Sequence, residues 1–285
     1  MKKIKHILFP TDFSETAQNA FRYTLILADK LEAEVVVLHA IYPQYEGMDL
    51  PVMATQATQK KLEAARTMLE AFVDTTVEIV ADELENTATI ETQVEIGAPS
   101  STIASFVARE GIDLVVMGTQ GEHSTLEKIF GSVTSEVIQR SKCHVLAIPG
   151  EAKLNKLQIM AFATDLKETD PYLIWEVSKL VDPFSPILHC VHVTSEQDAE
   201  KVLDMNDLQT FFSQHAPALQ IQFHQLKGDD LPPTLHEFAE TYDVDLLVMT
   251  APHRNFFERL FHKSQTRRMA LHTRIPLLIF REEER

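Results

Sequence analysis

The chain has 285 residues, of which 45% are hydrophobic and 24% charged, and its formal net charge is −16. This length exceeds one typical domain of roughly 100–200 residues, so we expect two domains. The excess of acidic residues argues against nucleic-acid and anionic-membrane partners, which are held by an excess of Lys and Arg. The sequence contains no run of about 18 consecutive apolar residues, so we expect no transmembrane helix.

Short apolar segments alternate with amphipathic segments along the first half of the chain. Between the first two apolar segments, apolar residues recur at spacings of three and four over Ala17–Leu31, and Ser14 is a suitable N-cap. A longer helical segment covers Ala54 to about Asp74 and could extend toward Glu85. The apolar, β-branched segments predict parallel strands at Ile4–Phe9, Ala33–Ile41, Ile90–Ile96, Leu114–Gly118 and His144–Ile148.

The second half of the chain repeats the first. HILFPTDFSET resembles QIMAFATDLKET, and GIDLVVMG resembles DVDLLVMT. Three pairs anchor the alignment: Asp12 with Asp165, His39 with His192, and Asp113 with Asp245. The first two pairs are 153 residues apart (165 − 12 and 192 − 39) and the third is 132 apart (245 − 113), so the second copy lacks 21 residues of a helical region. Recurrence suggests structural roles for the histidine pair and for Asp113 with Asp245.

Strands that alternate with helices imply parallel sheets with right-handed crossovers. We therefore predict an α/β protein of two tandem doubly wound domains, each with a five-stranded parallel sheet. The polar segment GEAKLNK has no periodic apolar face and is typical of a linker. The predicted divisions are a first domain at 1–149, a linker at 150–156 and a second domain at 157–285, whose first strand begins at Leu157.

Cysteine and histidine usage gives no sign of a metal centre. Cys143 and Cys190 form no C-x-x-C pair and are typical of reduced, buried thiols. The 12 histidines are dispersed, and the odd spacing of His189 and His192 on one strand points them to opposite faces.

The N-terminal apolar run ends at Pro10 and is therefore too short for a signal sequence. Together these features predict a cytoplasmic protein.

Three glycines follow the fourth predicted strand, at the sheet edge where open α/β proteins bind ligands. Gly118, Gly121 and Gly131 are spaced G-x2-G-x9-G. Glycines let backbone N–H groups approach phosphate oxygens and permit positive φ, and a helix opened by Ser132 and Thr134 favours an anion at its N-terminus. The pattern predicts a phosphate cradle. It matches neither the dinucleotide motif G-x-G-x-x-G nor the Walker motif G-x4-G-K-[ST].

Asp12 ends the first predicted strand and has three open interpretations. Its carboxylate could accept hydrogen bonds from ribose hydroxyls, help to order a phosphate-bound divalent cation, or cap the helix that follows. Gly97 and Gly111 are better explained as a turn and a helix C-cap than as site residues.

These residues resemble the ATP-binding branch of the universal stress protein superfamily, whose G-x2-G-x9-G-[ST] motif is matched here. The resemblance covers essentially the whole chain as two tandem copies. In the first copy it includes PTDFSET at the start, LHAI after the second strand, and GSVTSEVI and VLAIP at the end. The resemblance implies a Rossmann-like, adenine nucleotide alpha hydrolase-like fold that binds ATP, with Mg²⁺ or Mn²⁺ held through the phosphates. It also implies pairing of the final strands, as an internal pseudo-dimer or in a homodimer. The implied nucleotide-binding residues are Pro10, Thr11, Asp12, Ala40, Met117, Gly118, Gly121, Gly131, Ser132, Val133 and Thr134.

The second copy has lost the motif glycines. At an offset of 132, Gly118, Gly121 and Gly131 become Thr250, His253 and Lys263. Gly228, the one glycine beyond the linker, suggests a copy with little need for glycine. A basic cluster, residues 254–274, contains Arg254, Arg259, Lys263, Arg267, Arg268 and Arg274. It is either a solvated helix face or domain interface, or a site for an anion or a partner protein. We predict one nucleotide per chain, in the first domain.

The leading hypothesis is an ATP-binding stress-response protein with a regulatory role and at most slow hydrolysis. No Ser-His-Asp set, carboxylate pair or arginine finger can be assigned around the motif. Two alternatives stay open. The first is an ATPase or nucleotidyl transferase that uses Asp12 and a divalent metal, and the second is a nucleotide-independent interaction protein with a vestigial motif.

Overall fold

The computed structural model divides the chain into two compact units, one of Ile4–Ala152 and one whose main segment is Lys153–Arg285. Each unit is described by itself. The structure describes residues 3–42, 51–86, 88–119, 131–152, 157–194, 204–228, 231–250 and 275–281.

The first domain is a parallel sheet of strand order β3-β2-β1-β4-β5. Its elements are β1 His6–Pro10, α1 Glu15–Leu31, β2 Glu34–Ile41, α2 Pro51–Val80, a 3-10 turn Ala81–Glu83, β3 Ile90–Ile96, α3 Pro99–Glu110, β4 Leu114–Gly118, α4 Ser132–Arg140 and β5 His144–Ile148. The chain runs from β1 outward to β3 and then crosses to β4 on the other side of β1. All five predicted strands of this doubly wound sheet are present.

Three of those strands have the predicted bounds, and the other two begin later than predicted. Ladder pairing starts at His6 with Glu34, so the buried side chain of Ile4 precedes the strand. Ala33 lies in the C-terminal cap that follows α1, because its N–H donates to Ala28 O (2.9 Å) and Glu32 has a left-handed φ of 54°. Apolar character therefore extends beyond the hydrogen-bonded ladder at both sites.

The second domain is a parallel sheet of strand order β8-β7-β6-β9-β10. Its described elements are β6 Ile159–Ala163, α5 Asp170–Leu180, a 3-10 turn Asp182–Phe184, β7 Ile187–Thr194, α6 Met205–His215, β8 Ile221–Lys227, α7 Leu231–Thr241, β9 Leu246–Thr250 and β10 Leu277–Phe280. β6 begins at Ile159 rather than at Leu157. Residues 251–274 between β9 and β10, which include the basic cluster of residues 254–274, lie outside the described residues.

The shortening of the second copy is at the predicted place. α2 has 30 residues and its counterpart α6 has 11. α2 is longer than the predicted Ala54 to about Asp74, and the 3-10 turn after it carries the chain toward Glu85.

Central strands covered by helices form the core of each domain. Ile7, Leu8 and Phe9 of β1 are fully buried, and Phe9 packs on Phe21 of α1 with ring centroids 4.9 Å apart. Cys143 and Cys190 are buried and form no disulfide, as predicted. Burial raises the pKa of both thiols, which suits inert core residues. No helix in the described part of the chain is long and apolar enough to cross a bilayer.

Asp113 binds the start of β1 through its side chain. Its carboxylate Oδ2 accepts hydrogen bonds from the backbone N–H groups of Lys5 (2.9 Å) and His6 (3.1 Å). In the second domain, Asp245 Oδ2 accepts from two backbone N–H groups in the same way, those of Gln158 (2.8 Å) and Ile159 (2.9 Å). The structural role predicted from the repeat is confirmed at both positions.

Gly97 and Gly228 are also repeat equivalents, which the sequence comparison did not recognise. The Gly97 N–H donates to Ile41 O (2.9 Å) and the Gly228 N–H to Thr194 O (3.2 Å), and the two acceptors are 194 − 41 = 153 residues apart. Each glycine links the end of an edge strand to the next helix. The second copy therefore keeps a glycine where close packing demands one, rather than having little need for glycine.

Replacing Gly97 by alanine should destabilise the first domain by overpacking. A Cβ at this position would lie 2.5 Å from Thr102 Oγ1 of α3, and overpacking costs about 1–3 kcal/mol. Urea unfolding measures the loss. Gly97 also has a φ of 159°, which a residue with a Cβ rarely adopts. Adding Thr102→Ala to Gly97→Ala should therefore recover only the part of the loss that the contact causes, and a double variant as unstable as Gly97→Ala alone would refute the packing contribution.

Candidate functional site

The chain reverses its direction of winding between β1 and β4, which are adjacent in the first-domain sheet. A crevice opens outside the carboxyl ends of the strands at such a switch point, and ligands of open α/β sheets bind there. The segments at this edge are the β1–α1 turn, the end of β2, the end of β4 and the start of α4. They contain the residues that the sequence singled out.

The β1–α1 turn is held by its own polar side chains. Thr11 is buried, and its Oγ1 accepts a hydrogen bond from the Phe13 N–H (3.0 Å). Phe13 has a φ of 66°, which is uncommon for a residue with a bulky side chain. The turn leaves Asp12 exposed, directly beyond the end of β1.

Asp12 orients the helix cap but is not the cap itself. Its Oδ1 accepts from the backbone N–H (3.1 Å) and the hydroxyl (2.7 Å) of Ser14. Ser14 Oγ in turn accepts from the Ala17 N–H (3.1 Å), so Ser14 is the N-cap of α1, as predicted. The capping interpretation of Asp12 is therefore wrong in its simple form.

The end of β2 is tied to the same turn. His39 Nδ1 lies 2.9 Å from Thr11 O, and the ring packs on Phe13 with centroids 4.4 Å apart. In the second domain, His192 Nδ1 lies 2.8 Å from Thr164 O, the equivalent carbonyl. The histidine pair thus has a structural role in both copies. Ala40, the next residue after His39, is partly exposed at the edge of the sheet.

The link between β4 and α4 is fixed by two hydrogen bonds. The Thr134 hydroxyl donates to Gly118 O (2.9 Å), and the Gly131 N–H donates to Thr119 O (2.7 Å). Met117 is buried and Gly118 is partly exposed at the end of β4. The first turn of α4 is therefore held against the end of β4 at the switch point.

The N-terminus of α4 is suited to an anion. The helix begins at Ser132. Its N-cap, Gly131, has no side chain to cap the first N–H groups, and its first turn contains no acidic residue. The first N–H groups of a helix have no intrahelical partner, and the helix dipole adds a partial positive charge there. Ser132 is exposed and Val133 partly exposed, so a ligand can reach these groups.

The fold brings ten of the eleven predicted site residues to this edge, and Gly121 lies outside the described residues. The predicted use of glycine for positive φ is wrong for the two motif glycines that are described. Gly131 has a φ of −59°, and Gly118 is an ordinary strand residue that pairs with Ile148. The advantage of glycine at these two positions is the missing side chain and not an unusual backbone.

The corresponding edge of the second domain has different chemistry. Lys167 stands where Ser14 stands in the first domain (167 − 14 = 153), and its ammonium lies 3.3 Å from the Asp165 carboxylate. Asp170, buried, accepts hydrogen bonds from the Thr164 hydroxyl and from the Lys167 N–H (3.1 Å). Burial raises the pKa of Asp170, against the effect of these two hydrogen bonds. At this edge of the second domain, the Asp165 carboxylate is thus paired with the Lys167 ammonium of the same turn.

A small cleft remains at this edge of the second domain. Thr250 occupies the position of Gly118 and adds a side chain at the end of β9. The cleft is lined by Ala163, Thr164, Asp165, Val191, Leu231, Met249 and Thr250. His253 and Lys263, which replace the other two glycines, lie outside the described residues.

Comparison with known proteins identifies the family. The sequence model of the universal stress protein family matches residues 3–149 and again residues 158–281. The chain belongs to the universal stress protein family. The two matched regions make this universal stress protein a tandem of two family domains with an α/β fold.

Individual relatives agree with this assignment. Universal stress protein MJ0577 of Methanocaldococcus jannaschii is 29% identical over 152 residues, which cover 50% of this chain and 94% of that protein. Universal stress protein Sll1654 of Synechocystis sp. is 31% identical over 152 residues, 51% of this chain and 85% of that protein. A solved universal stress protein from Archaeoglobus fulgidus covers 98% of this chain and 97% of its own, with a TM-score of 0.69 at 18% identity. That last likeness concerns the fold alone.

Proposed function

We propose that the first domain binds ATP at the switch point between β1 and β4, and that nucleotide occupancy regulates this universal stress protein in a stress response. The start of α4 is the observation that carries the proposal. Its N-cap, Gly131, has no side chain to occupy the first N–H groups, and the bond from the Thr134 hydroxyl to Gly118 O holds these groups beside the end of β4. Such a helix start favours phosphate.

In this proposal the parts of the nucleotide divide between the two sides of the switch point. The adenine lies near Ala40 and Asp12, beyond β1 and β2, and Met117 and Gly118 flank the nucleoside. The phosphates lie on the α4 side. The phosphate-binding residues are then Gly121, Gly131, Ser132, Val133 and Thr134, and Pro10 and Thr11 support the nucleoside side.

A divalent cation would be held chiefly by the phosphates. No group of three His, Cys, Asp or Glu side chains suited to a metal occurs among the described residues. Mg²⁺ commonly keeps several waters and binds one or two carboxylates together with substrate phosphates. Asp12 is the carboxylate of the switch point, so it would contribute to the cation only in the presence of nucleotide.

One nucleotide per chain is expected. Thr250 places a side chain where the first domain has Gly118, and the Asp165 carboxylate is paired with Lys167, so the chemistry of the switch point is not repeated in the second domain. The second domain then serves as a packing partner or regulatory surface. The predicted boundaries at 149 and 157 and the cytoplasmic location stay predictions.

Release of bound nucleotide tests the proposal directly. Acid denaturation of the purified chain, followed by mass measurement of the supernatant, should yield an adenine nucleotide. Calorimetric titration of nucleotide-free protein with ATP should then give a stoichiometry near one per chain. A chain that releases no nucleotide and shows no heat of ATP binding would be a nucleotide-independent interaction protein.

Incubation of the same purified protein with ATP distinguishes nucleotide binding from hydrolysis. We expect ATP to be recovered largely unhydrolysed after long incubation with Mg²⁺. Steady phosphate release that is lost in Asp12→Asn would instead assign an ATPase activity to the switch point.

A further inference from the structure

Two histidines of the second domain share a hydrogen bond inside the protein. His189 Nδ1 of β7 lies 2.8 Å from His224 Nε2 of β8, and the two rings lie side by side, with centroids 4.9 Å apart and planes inclined by 27°. His189 is only 4% exposed. A hydrogen bond of this length between two ring nitrogens requires one N–H and one lone pair. The geometry therefore demands that at least one of the rings is neutral.

Two aromatic rings, Phe238 of α7 and Tyr242 directly after that helix, cover this pair. Phe238 lies 5.7 Å from His189 and 5.0 Å from His224, between ring centroids. Tyr242 lies 5.0 Å from His189 and 5.1 Å from His224, and it stacks on Phe238 at 4.4 Å. Four rings thus join the last turn of α7 to the two strands. Tyr242 is 38% exposed, so protons in solvent have a short path to the cluster.

This cluster is a feature of the second copy alone. β2 and β3 pair with Leu38 opposite Gln93, and β7 and β8 pair with Val191 opposite His224. Since Leu38 and Val191 are repeat equivalents (191 − 38 = 153), Gln93 of the first copy corresponds to His224. His189 likewise corresponds to Val36. The first copy therefore has no titratable side chain at either position.

We propose that His189 and His224 form an acid-sensitive latch, which holds α7 on the sheet at neutral pH and releases it as the pH falls to about 5.5. Protonation of both rings places an N–H on each facing nitrogen, so the hydrogen bond is lost and two positive charges face each other. The rings of Phe238 and Tyr242 offer these charges no counter-ion. The latch acts in the second domain and does not depend on nucleotide binding in the first.

The direction of the pH effect follows from burial. Burial lowers the pKa of His189, with a further contribution from His224, and burial also lowers the pKa of His224. The unfolded chain therefore binds protons more readily than the folded one. Stability is complete above the ordinary histidine pKa of about 6.5, and it decreases as the pH falls through that value toward the lowered ones.

The charged neighbours do not offset this effect. In the described part of the chain, the titratable side chains in contact with the pair are the two histidines themselves and the phenol of Tyr242, the residue that follows α7. His236 of α7 is paired with Glu240 (3.4 Å). Asp170 on α5, whose pKa burial raises, gives the opposite slope, since its stabilising contribution grows as the pH falls.

Release of α7 would also affect the cleft of the second domain. α7 begins at Leu231, which lines that cleft together with Asp165 and Thr250. The latch lies at the other end of the same 11-residue helix. A loosened α7 would therefore change the shape of the cleft at low pH.

Hydrogen exchange of the full chain tests the latch. Between pH of about 7.5 and about 5.5, the opening constants of α7 and β8 amides, corrected for intrinsic exchange, should rise roughly fivefold or more, the factor that one lost hydrogen bond represents. The double variant His189→Val/His224→Gln installs the residues of the first copy and should remove this rise. His215→Gln, at an exposed histidine of α6, should leave it unchanged. Asp170 is present in every variant, so its contribution cancels.

Two results would overturn the proposal. The first is a double variant with the same pH dependence as the wild type. The second is an NMR titration of the wild-type protein in which His189 and His224 titrate at the ordinary histidine pKa. This measurement needs no variant, so it remains decisive even if the double substitution prevents folding. Titration of both rings below it, with loss of α7 protection over the same pH range, would support the latch.

Discussion

Replacing Gly118 and Gly131 together by alanine is expected to weaken ATP binding by at least about 100-fold, the equivalent of one or two charge-assisted hydrogen bonds. The added methyl group of Gly118→Ala would crowd the nucleoside at the end of β4, and that of Gly131→Ala would keep phosphate oxygens from the start of α4. The free energy of unfolding should change by less than about 1 kcal/mol, because neither glycine has a left-handed backbone. Calorimetry and urea unfolding measure the two quantities.

Gly111→Ala is the matched control. Gly111 caps α3 with a left-handed φ of 64° and lies at the far end of that helix from the switch-point edge. Alanine in this conformation should cost about 1 kcal/mol of stability and leave the ATP affinity unchanged. Unchanged ATP affinity in the Gly118→Ala/Gly131→Ala variant would refute the proposed phosphate site.

Asp113→Ala should produce the largest loss of stability among these variants. It leaves the N–H groups of Lys5 and His6 without their carboxylate acceptor at the start of β1. Since the Asp113 side chain is only 7% exposed, we expect a loss of about 2–4 kcal/mol in the unfolding of the first domain. Urea unfolding, followed by a probe in that domain, measures it.

Two further variants define the role of this aspartate. Asp113→Asn should lose less, because the amide oxygen still accepts, and Asp245→Ala should destabilise the second domain in the same way. ATP affinity of folded Asp113→Ala should equal that of the wild type, because the carboxylate lies at the opposite edge of the sheet from the switch point. Normal stability with lost ATP binding would show that Asp113 serves the site instead.

Much of the candidate site could be predicted because the two copies could be compared. The switch-point edge, the start of α4 at Ser132 and the N-cap Ser14 all follow from local patterns, since strand ends, caps and glycine spacing are encoded by neighbouring residues. The structural role of Asp113 followed from its recurrence as Asp245. These are features that depend on few residues close in sequence.

Other features required contacts between distant segments. The equivalence of Gly97 and Gly228 appears in their hydrogen bonds to Ile41 and Thr194, because a changed loop length hides it in the sequence alignment. The ion pair of Lys167 with Asp165 needed the shape of the β6–α5 turn. No sequence pattern indicated the left-handed φ of Phe13, which is unusual for its residue type.

The sequence by itself determined the α/β class, the tandem repeat, the family and the loss of the glycine cradle from the second copy, because periodicity, repeats and motifs are local properties that survive without coordinates. Only the tertiary structure decided that Gly118 and Gly131 are ordinary in backbone. It also decided that Asp12 orients Ser14 and that His189 contacts His224. The histidines are 35 residues apart and lie on adjacent parallel strands. Which side chains face each other across such strands depends on ladder register, and register is set by the packing of the whole sheet.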